Sequence, residues 1–401
     1  MHSAIDLIEF QTDFSELIKM CDELRPEEVA LSIKTNHAVI TPQILATQVG
    51  CYHLAKRKFP SIHKSGMLYT RQMLEQSSGE AILNYKSSLF SGDTAIDLTG
   101  GLGMDTYMLS LNYNHVHSVE MDEEVFKLTR HNHSKLGVKN CTYHNSKCEL
   151  FLQEFDERAE LVYVDPSRRD KNRKVFLLED SSPNIFDILP MVKNITNRFV
   201  IKLSPLYDIT QLLRDFDQVA NIFVISVSGE VKELLVEMYF DIDPNHRTKI
   251  NAVLLDKEGN KVYEVEEPVI DHTHSNEPTD PTQFLFEPDA AIIKSRLTSK
   301  VASDFGLTFV NMNTDYLTGH KPIQTFPGKF FKIIEIQSYN PKKLKKRFNE
   351  LGLNNVHIHK RDFPTGVEDL FKKFKLKMGE DAHLFFTKDR NQKPIVLICE
   401  F

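Results

Sequence analysis

Asp97-Leu98-Thr99-Gly100-Gly101-Leu102-Gly103-Met104-Asp105 decides the fold of this 401-residue chain. Ala95 and Ile96 ahead of it predict a strand ending on an acid, and Met104 to Asn112 predicts a helix. Between them, glycines let the backbone turn tightly and approach a ligand without a Cβ clash, while the helix start presents unpaired N–H groups. This is a nucleotide-type site. A second strand, His115–Val119, ends at Glu120, 23 residues beyond Asp97. A carboxylate there can accept hydrogen bonds from both ribose hydroxyls. The dinucleotide pattern G-x-G-x-x-G would need a glycine at 106, and Thr106 stands there, which argues against a dehydrogenase.

From Thr94 to about Phe240, strand-like runs alternate with helical stretches: 94–98, 115–120, 141–145, 161–165, 198–203 and 221–227. That alternation implies a parallel sheet with helices on both faces. Asn221–Val227 and Glu233–Phe240 are separated by five residues, too few for a parallel crossover, so this pair must run antiparallel. A hairpin turning at Lys257-Glu258-Gly259-Asn260 follows. Upstream, residues 1–90 read as helical, with Asp13–Leu24 and Pro42–Phe59 showing three- and four-residue apolar spacing. Glu75-Gln76-Ser77-Ser78 precedes a helix over Gly79–Phe90, with Ser77 or Ser78 as its cap. Beyond a Pro-rich stretch at 266–283 the expected elements are a helix at 288–302, strands near 307–311 and 330–337, and helix 341–351. A strand at 355–359, helix 366–377 and strands near 382–387 and 394–400 follow.

Hydrophobic content of 41% and charged content of 26% describe a globular protein, and no apolar run reaches the roughly 20 residues of a membrane span. The start carries Asp6 where a secretory leader would be basic and then apolar, and the five cysteines form no C-x-x-C pair. A cytoplasmic protein with reduced thiols and no membrane association is expected. The net charge of −7 hides an asymmetry: residues 321–401 carry about +8 and the rest about −15. A basic end on an acidic body suggests a polyanionic partner. In the predicted helix 341–351, Lys342, Lys345 and Lys346 share a face while Leu344 and Phe348 point to the core.

A second chemical signature follows the fourth strand: Asp165-Pro166-Ser167-Arg168-Arg169. Ligands of open α/β sheets lie beyond the carboxyl ends of strands, so Asp165 should face the same crevice as Gly100–Gly103. Arg168 and Arg169 are positioned to clamp a phosphate by bidentate contacts, and Lys202 and Ser204 end the fifth strand at the same rim, with Glu230 after the sixth. His131/His133, His272/His274 and His357/His359 are i, i+2 pairs without an apparent third ligand, so no metal site is expected.

The acid followed by G-G-x-G-x-D resembles motif I of class I S-adenosylmethionine-dependent methyltransferases. Asp165-Pro166 resembles motif IV of those members that modify amino groups of nucleic-acid bases, D/N-P-P-x. Here Ser167 takes the place of the second proline and no aromatic follows. With Glu75-Gln76-Ser77-Ser78 and Phe284-Leu285-Phe286-Glu287-Pro288-Asp289, the chain looks like the bacterial class I methyltransferases that carry a C-terminal THUMP-like domain. The resemblance implies an α/β, Rossmann-like class I methyltransferase sheet, parallel with one antiparallel hairpin, between an N-terminal helical region and a small α+β module. The expected segments are 1–90 (helical), 91–266 (methyltransferase), 267–320 (linker and small α+β segment) and 321–401 (THUMP-like). It implies S-adenosyl-L-methionine as cofactor, with Asp97, Thr99, Gly100, Gly101, Gly103, Asp105, Glu120, Asn145 and Ser146 around it. Asp165 and Pro166 would be catalytic, and Arg168, Arg169, Lys202, Lys342, Lys345 and Lys346 would meet the substrate. THUMP modules of tRNA-modifying enzymes imply RNA, tRNA or rRNA, as partner. Two other readings stay open: a methyltransferase of a small molecule or protein, and a non-catalytic RNA-binding protein that retains the fold.

Overall fold

The structure is a computed structural model that describes residues 22–32, 41–168, 178–243, 245–269 and 277–401, together with Ile8. Arg169, His272, His274 and most of Asp13–Leu24 lie outside the described residues. The chain divides into two units. One runs to Ser228 and includes Lys232–Lys249 and Leu255–Val262; the other holds Gly229–Val231, Ile250–Leu254 and Tyr263–Phe401.

The first unit opens with helices α1 (Pro26–Ser32), α2 (Pro42–Lys58), α3 (Arg71–Gln76) and α4 (Glu80–Leu89). Thr41 caps α2 by accepting from Ile44 N, with Pro42 preset for the first turn and Lys56, Arg57 and Lys58 placed against the C-terminal end of the dipole. Gly79 is the N-cap of α4 and makes no side-chain cap bond. The expected serine cap is therefore corrected: the Ser78 hydroxyl is used elsewhere, donating to Glu233 at 2.7 Å.

The alternating elements follow: β1 (Gly92–Asp97), α5 (Met104–Ser110), β2 (Tyr113–Glu120), α6 (Glu123–Leu136), β3 (Cys141–Asn145), α7 (Cys148–Glu154) and β4 (Leu161–Val164). Then come the short pair β5 (Ser167–Arg168) and β6 (Ser181–Ser182), α8 (Ile185–Ile195), β7 (Arg198–Leu203), α9 (Ile209–Asp215), β8 (Val219–Val227) and β9 (Glu230–Tyr239). Their order in the sheet is β8-β9-β7-β4-β1-β2-β3. The pairs β1–β2, β1–β4, β2–β3 and β4–β7 are parallel, and β9 runs antiparallel to β7 with Lys202 opposite Leu235. Leu161 to Val164 and Phe199 to Leu203 are buried without alternation, as strands covered on both faces must be. The link between β8 and β9 is two residues, not five: Ser228 and Gly229 both take positive φ, the geometry of a tight hairpin. β10 (Lys249–Leu255) and β11 (Lys261–Pro268) form the next hairpin around Asp256, whose carboxylate accepts from Glu258 N and Asn260 N.

The second unit carries β12 (Phe284–Pro288), α10 (Ala290–Lys294), α11 (Thr298–Phe305), β13 (Thr308–Phe309), β14 (Leu317–Gly319) and β15 (Gly328–Ser338). It continues with α12 (Pro341–Glu350), β16 (Asn355–Lys360), α13 (Val367–Phe374), β17 (Lys377–Lys388) and β18 (Pro394–Glu400). These seven strands form one sheet, in the order β13-β14-β12-β15-β18-β17-β16. This differs from a division at 320. β12 pairs with both β14 and β15, so 284–319 and 328–400 share a sheet. The helix expected at 288–302 is two helices, because the chain turns at Ser295–Leu297 with Arg296 at positive φ. β18 shows why the sheet is covered on both sides. Val396 and Ile398 join Leu344, Phe348, Leu370, Phe374 and Phe386 in one core, while Ile395, Leu397 and Cys399 join Leu285, Tyr316, Phe331 and Phe385 in another. Among the described residues no helix is long and apolar enough to cross a membrane.

Candidate functional site

Asp97 closes β1 fully buried. One carboxylate oxygen accepts from Thr99 N at 3.0 Å and the Thr99 hydroxyl at 3.4 Å; the other accepts from the Thr106 hydroxyl at 2.6 Å. Burial pushes this carboxyl up to about 7, against the pull of the Thr106 and Thr99 bonds and with the negative charge of Asp105 adding to the rise. The residue that broke the dinucleotide pattern thus anchors the turn. Gly100 N donates to Val119 O at 2.8 Å, and a Cβ at 100 would lie 2.9 Å from Ser118 Oγ. Gly103 takes φ of 86°, and a Cβ there would come within 2.4 Å of His133 Nε2, which bonds Gly103 O at 2.7 Å. Only glycine fits either position.

Glu120 ends β2 against this turn. Its carboxylate accepts from Gly101 N at 3.0 Å and Asp122 N at 2.9 Å, so the acid and the glycine loop are already joined. Asn145 does not face the cavity: its amide donates to Glu120 O at 2.9 Å and Met121 O at 3.4 Å and ties the ends of β2 and β3 together. Ser146 donates its N–H to Glu120 O at 3.1 Å.

Asp165 follows β4, and its N–H donates to Thr99 Oγ1 at 2.7 Å. One threonine hydroxyl therefore couples the two sequence signatures. Asp165 Oδ2 lies 2.5 Å from Lys202 Nζ, and 37% of the Asp165 side chain is exposed. Lys202 also approaches Asp105 at 3.6 Å. Burial opposes its charge, but Asp165, Asp105 and Glu233 hold its ammonium far above the usual lysine value. Asp105 in turn pairs with Lys86, which has no exposed surface and sits on α4. Burial alone would raise the Asp105 carboxyl; Lys86 and Lys202 hold it well below the usual range. Lys86 also bonds Ser78 Oγ at 3.0 Å, Tyr163 OH at 3.2 Å and Glu233 at 3.2 Å. The result is an alternating chain, Glu233–Lys86–Asp105–Lys202–Asp165. Lys202, expected as a substrate contact on the rim, is a buried ion-pair partner instead.

These groups border a cavity of about 420 Å³ lined by Thr99, Gly100, Gly101, Asp105, Glu120, Ser146 and Asp165. That is the scale of a small-molecule site. Met73, Gln76, Ser77, Leu98 and Met121 add the apolar and polar wall. Of the residues expected around the cofactor or in catalysis, Asp97, Gly103, Asn145 and Pro166 do not line it, nor do Arg168 and Lys202. Arg168 belongs to β5, which pairs with β6. Sequence reading missed Lys86, Glu233 and Tyr163, because nothing in a helical pattern separates a lysine that turns inward from one that does not. The only trace was Ser77-Ser78, noticed as a cap.

In the second unit, Asn340 caps α12 by accepting from Lys342 N and Lys343 N. Lys342, Lys345 and Lys346 are exposed while Leu344 and Phe348 are buried, as expected from their spacing. Lys346 lies 3.8 Å from Glu350, and Arg347 is held by Glu335 and Glu350.

Removing a buried charge partner strands the others. Lys86→Met leaves Asp105 and Glu233 short of a cation and should cost about 3–5 kcal/mol of stability. Urea unfolding checks it; an unchanged midpoint would mean that the chain of charges does not support the fold.

A model of the THUMP domain-like family matches residues 328–400. Over 337 residues the chain is 22% identical to an uncharacterized S-adenosylmethionine-dependent methyltransferase of Mycobacterium tuberculosis strain H37Rv, covering 82% of this chain and 87% of that protein. The counterpart from strain CDC 1551 matches to the same extent. A crystal structure described as a candidate methyltransferase from Porphyromonas gingivalis W83 superposes with a TM-score of 0.83 at 24% identity, covering 97% of this chain and 98% of that one. The last likeness is one of fold. These findings show homology to S-adenosylmethionine-dependent methyltransferases, the fold of a methyltransferase, and a THUMP-like domain at the C-terminus.

Proposed function

We propose that the chain methylates a base nitrogen in structured RNA, tRNA or rRNA, and that it does so in the cavity between Gly100–Gly101 and Asp165. The observation that carries this reading is the Thr99 hydroxyl: it accepts from Asp165 N and donates to Asp97, so the cofactor loop and the acceptor loop form one hydrogen-bonded unit. The cavity suits the cofactor chemically. Glu120 keeps lone pairs for a ribose diol while holding Gly101 N, and Leu98 and Met121 offer apolar surface for a purine. Bound there, S-adenosylmethionine supplies an electrophilic methyl group.

The protein's own part is to aim the acceptor. Lys202 occupies Asp165 Oδ2, which leaves Oδ1 to accept a hydrogen of an exocyclic amine and turn the nitrogen lone pair toward the transferred group. Burial raises the Asp165 carboxyl above its usual range and the Lys202 ammonium beside it pulls the other way; Asp165 acts by orienting the amine, and the proton released after transfer leaves to solvent. RNA is favoured over a small molecule by the lysine face of α12 on the basic C-terminal domain. A cytoplasmic location, where cysteines stay as thiols, belongs to the same reading.

A charge-assisted hydrogen bond contributes about 1.5–3 kcal/mol, so Glu120→Ala should weaken S-adenosylmethionine binding by roughly ten- to a hundredfold in calorimetry. Unchanged affinity would remove the ribose assignment. Purified protein incubated with methyl-labelled cofactor and total bacterial RNA should yield a labelled nucleoside after digestion. Asp165→Ala should cut that turnover by about 10²-fold or more with cofactor affinity retained, and Asp165→Asn should be milder. Near wild-type turnover in Asp165→Ala would exclude an amine-directed role for this loop. Replacing Lys342, Lys345 and Lys346 together with Glu should flatten the log–log salt dependence of RNA binding by about two units, at about 0.7 per phosphate contact. If the slope survives, the lysine face is only solvated surface. Label entering protein or a small molecule instead would favour the first alternative reading, and cofactor-free RNA binding without turnover the second.

A further inference from the structure

One face of the C-terminal sheet collects imidazoles. β16 and β17 are parallel neighbours with His357 opposite His383. Alternation puts His359 on the same face as His357. His359 Nε2 lies 3.0 Å from His383 Nδ1, and the His357 and His383 rings stack with centroids 4.9 Å apart. Glu380 Oε1 lies 3.1 Å from His357 Nε2. One ligand atom each from His357, His383 and Glu380 falls within 4.8 Å of the others.

Glu380 has no right to this face in a regular strand, because a residue three positions before His383 points to the opposite side. The register explains its place. Asn355 pairs with Lys377 but Val356 pairs with Ala382, so β17 bulges between them. The bulge is built from its neighbours. A Cβ at Gly379 would come within 2.4 Å of Asn355 Cβ, so only glycine lets the two strands approach there. Asp381 accepts from Asn354 N at 3.0 Å and Asn355 N at 2.8 Å, and these bonds hold its carboxyl below the usual range. Bulges of this kind redirect a side chain toward a functional position. What this one redirects is a carboxylate, back over the imidazoles.

Imidazoles carry lone pairs, and two of them with a carboxylate make a donor set suited to a borderline divalent ion. The i, i+2 pair His357/His359 had no third ligand in the sequence; the fold brings His383 from the neighbouring strand and Glu380 from the bulge.

We propose that His357, His383 and Glu380 bind a divalent transition-metal ion of the zinc class, with a fourth position left to solvent and His359 acting as a positioning residue on the His383 ring. A tetrahedral ion with bonds near 2 Å needs donors roughly 3.3 Å apart. The His357–Glu380 pair is already at that spacing, and Glu380, with 87% of its side chain exposed, is free to close the rest. The His359 contact supplies the outer hydrogen bond that a ligating imidazole commonly makes.

The test uses full-length protein without an affinity tag, stripped with chelator and titrated with Zn²⁺ against a chromophoric chelator, then with Co²⁺ for its visible d–d absorption. Uptake of one ion per chain is expected. Glu380→Gln and His383→Ala should each weaken it by at least tenfold, and His359→Phe by about 10- to 100-fold, the range for outer-shell partners. His117→Ala, in the separate His117–His144 pair of the first unit, should change nothing. Glu380 is exposed, so its substitution keeps the fold and the result interpretable. No stoichiometric uptake by the wild type would overturn the site. So would uptake unchanged in both Glu380→Gln and His383→Ala, or uptake lost only in His117→Ala.

Discussion

Lys86 and Lys202 bring two positive charges into the interior of the first unit, and three carboxylates follow them there: Glu233, Asp105 and Asp165. An isolated ion in such surroundings costs several kcal/mol, so each group is tolerable only with its neighbours in place. The five side chains come from α4, α5, the end of β4, β7 and β9. Five elements must therefore assemble together, and the position of Asp165 is set by contacts that begin on a helix of the N-terminal region. With three acids and two lysines the set carries one surplus negative charge. It borders the cavity through Asp105 and Asp165, a setting that favours a cationic guest.

The same constraint ties the glycine loop to the loop that carries Asp165. Asp97 holds Thr99, Thr99 holds the Asp165 backbone, and Lys202 holds the Asp165 side chain. Glu120 fixes the far side of the glycine turn through Gly101 N. The proposed methyl transfer would draw on a site organised this way, because it needs little rearrangement to aim a weak nucleophile.

Much of this was legible in the chain. The glycine turn, its two acids and Asp165 are local patterns at strand ends, and strand ends meet in space because a parallel sheet aligns them. The antiparallel return of β9 was readable from the short link. What escaped were contacts made across the fold. Lys86 lies in a helix whose apolar pattern does not mark it as buried, and only the packing of α4 reveals its four partners, Asp105, Glu233, Ser78 and Tyr163. Asn145 and Lys202 stand at strand ends, but Asn145 bonds the end of β2 and Lys202 pairs with buried acids, because sequence shows where a strand ends and not which bonds its last side chains make. The sequence pattern assigns no element to Phe284–Phe286, which is too short for periodicity to decide, and its strand character comes from pairing on both edges with β14 and β15. The bulge at Gly379 was likewise invisible, since its cause is the approach of Asn355 from a neighbouring strand.

The most direct test of the account is a crystal structure with S-adenosylhomocysteine. The account predicts the ligand in the cavity between Gly100–Gly101 and Ser146, its ribose hydroxyls on Glu120 and its sulfur facing Asp165, with the Asp165–Lys202 pair intact. A ligand bound elsewhere, or one seated there with Glu120 turned away and Asp165 released from Lys202, would contradict it.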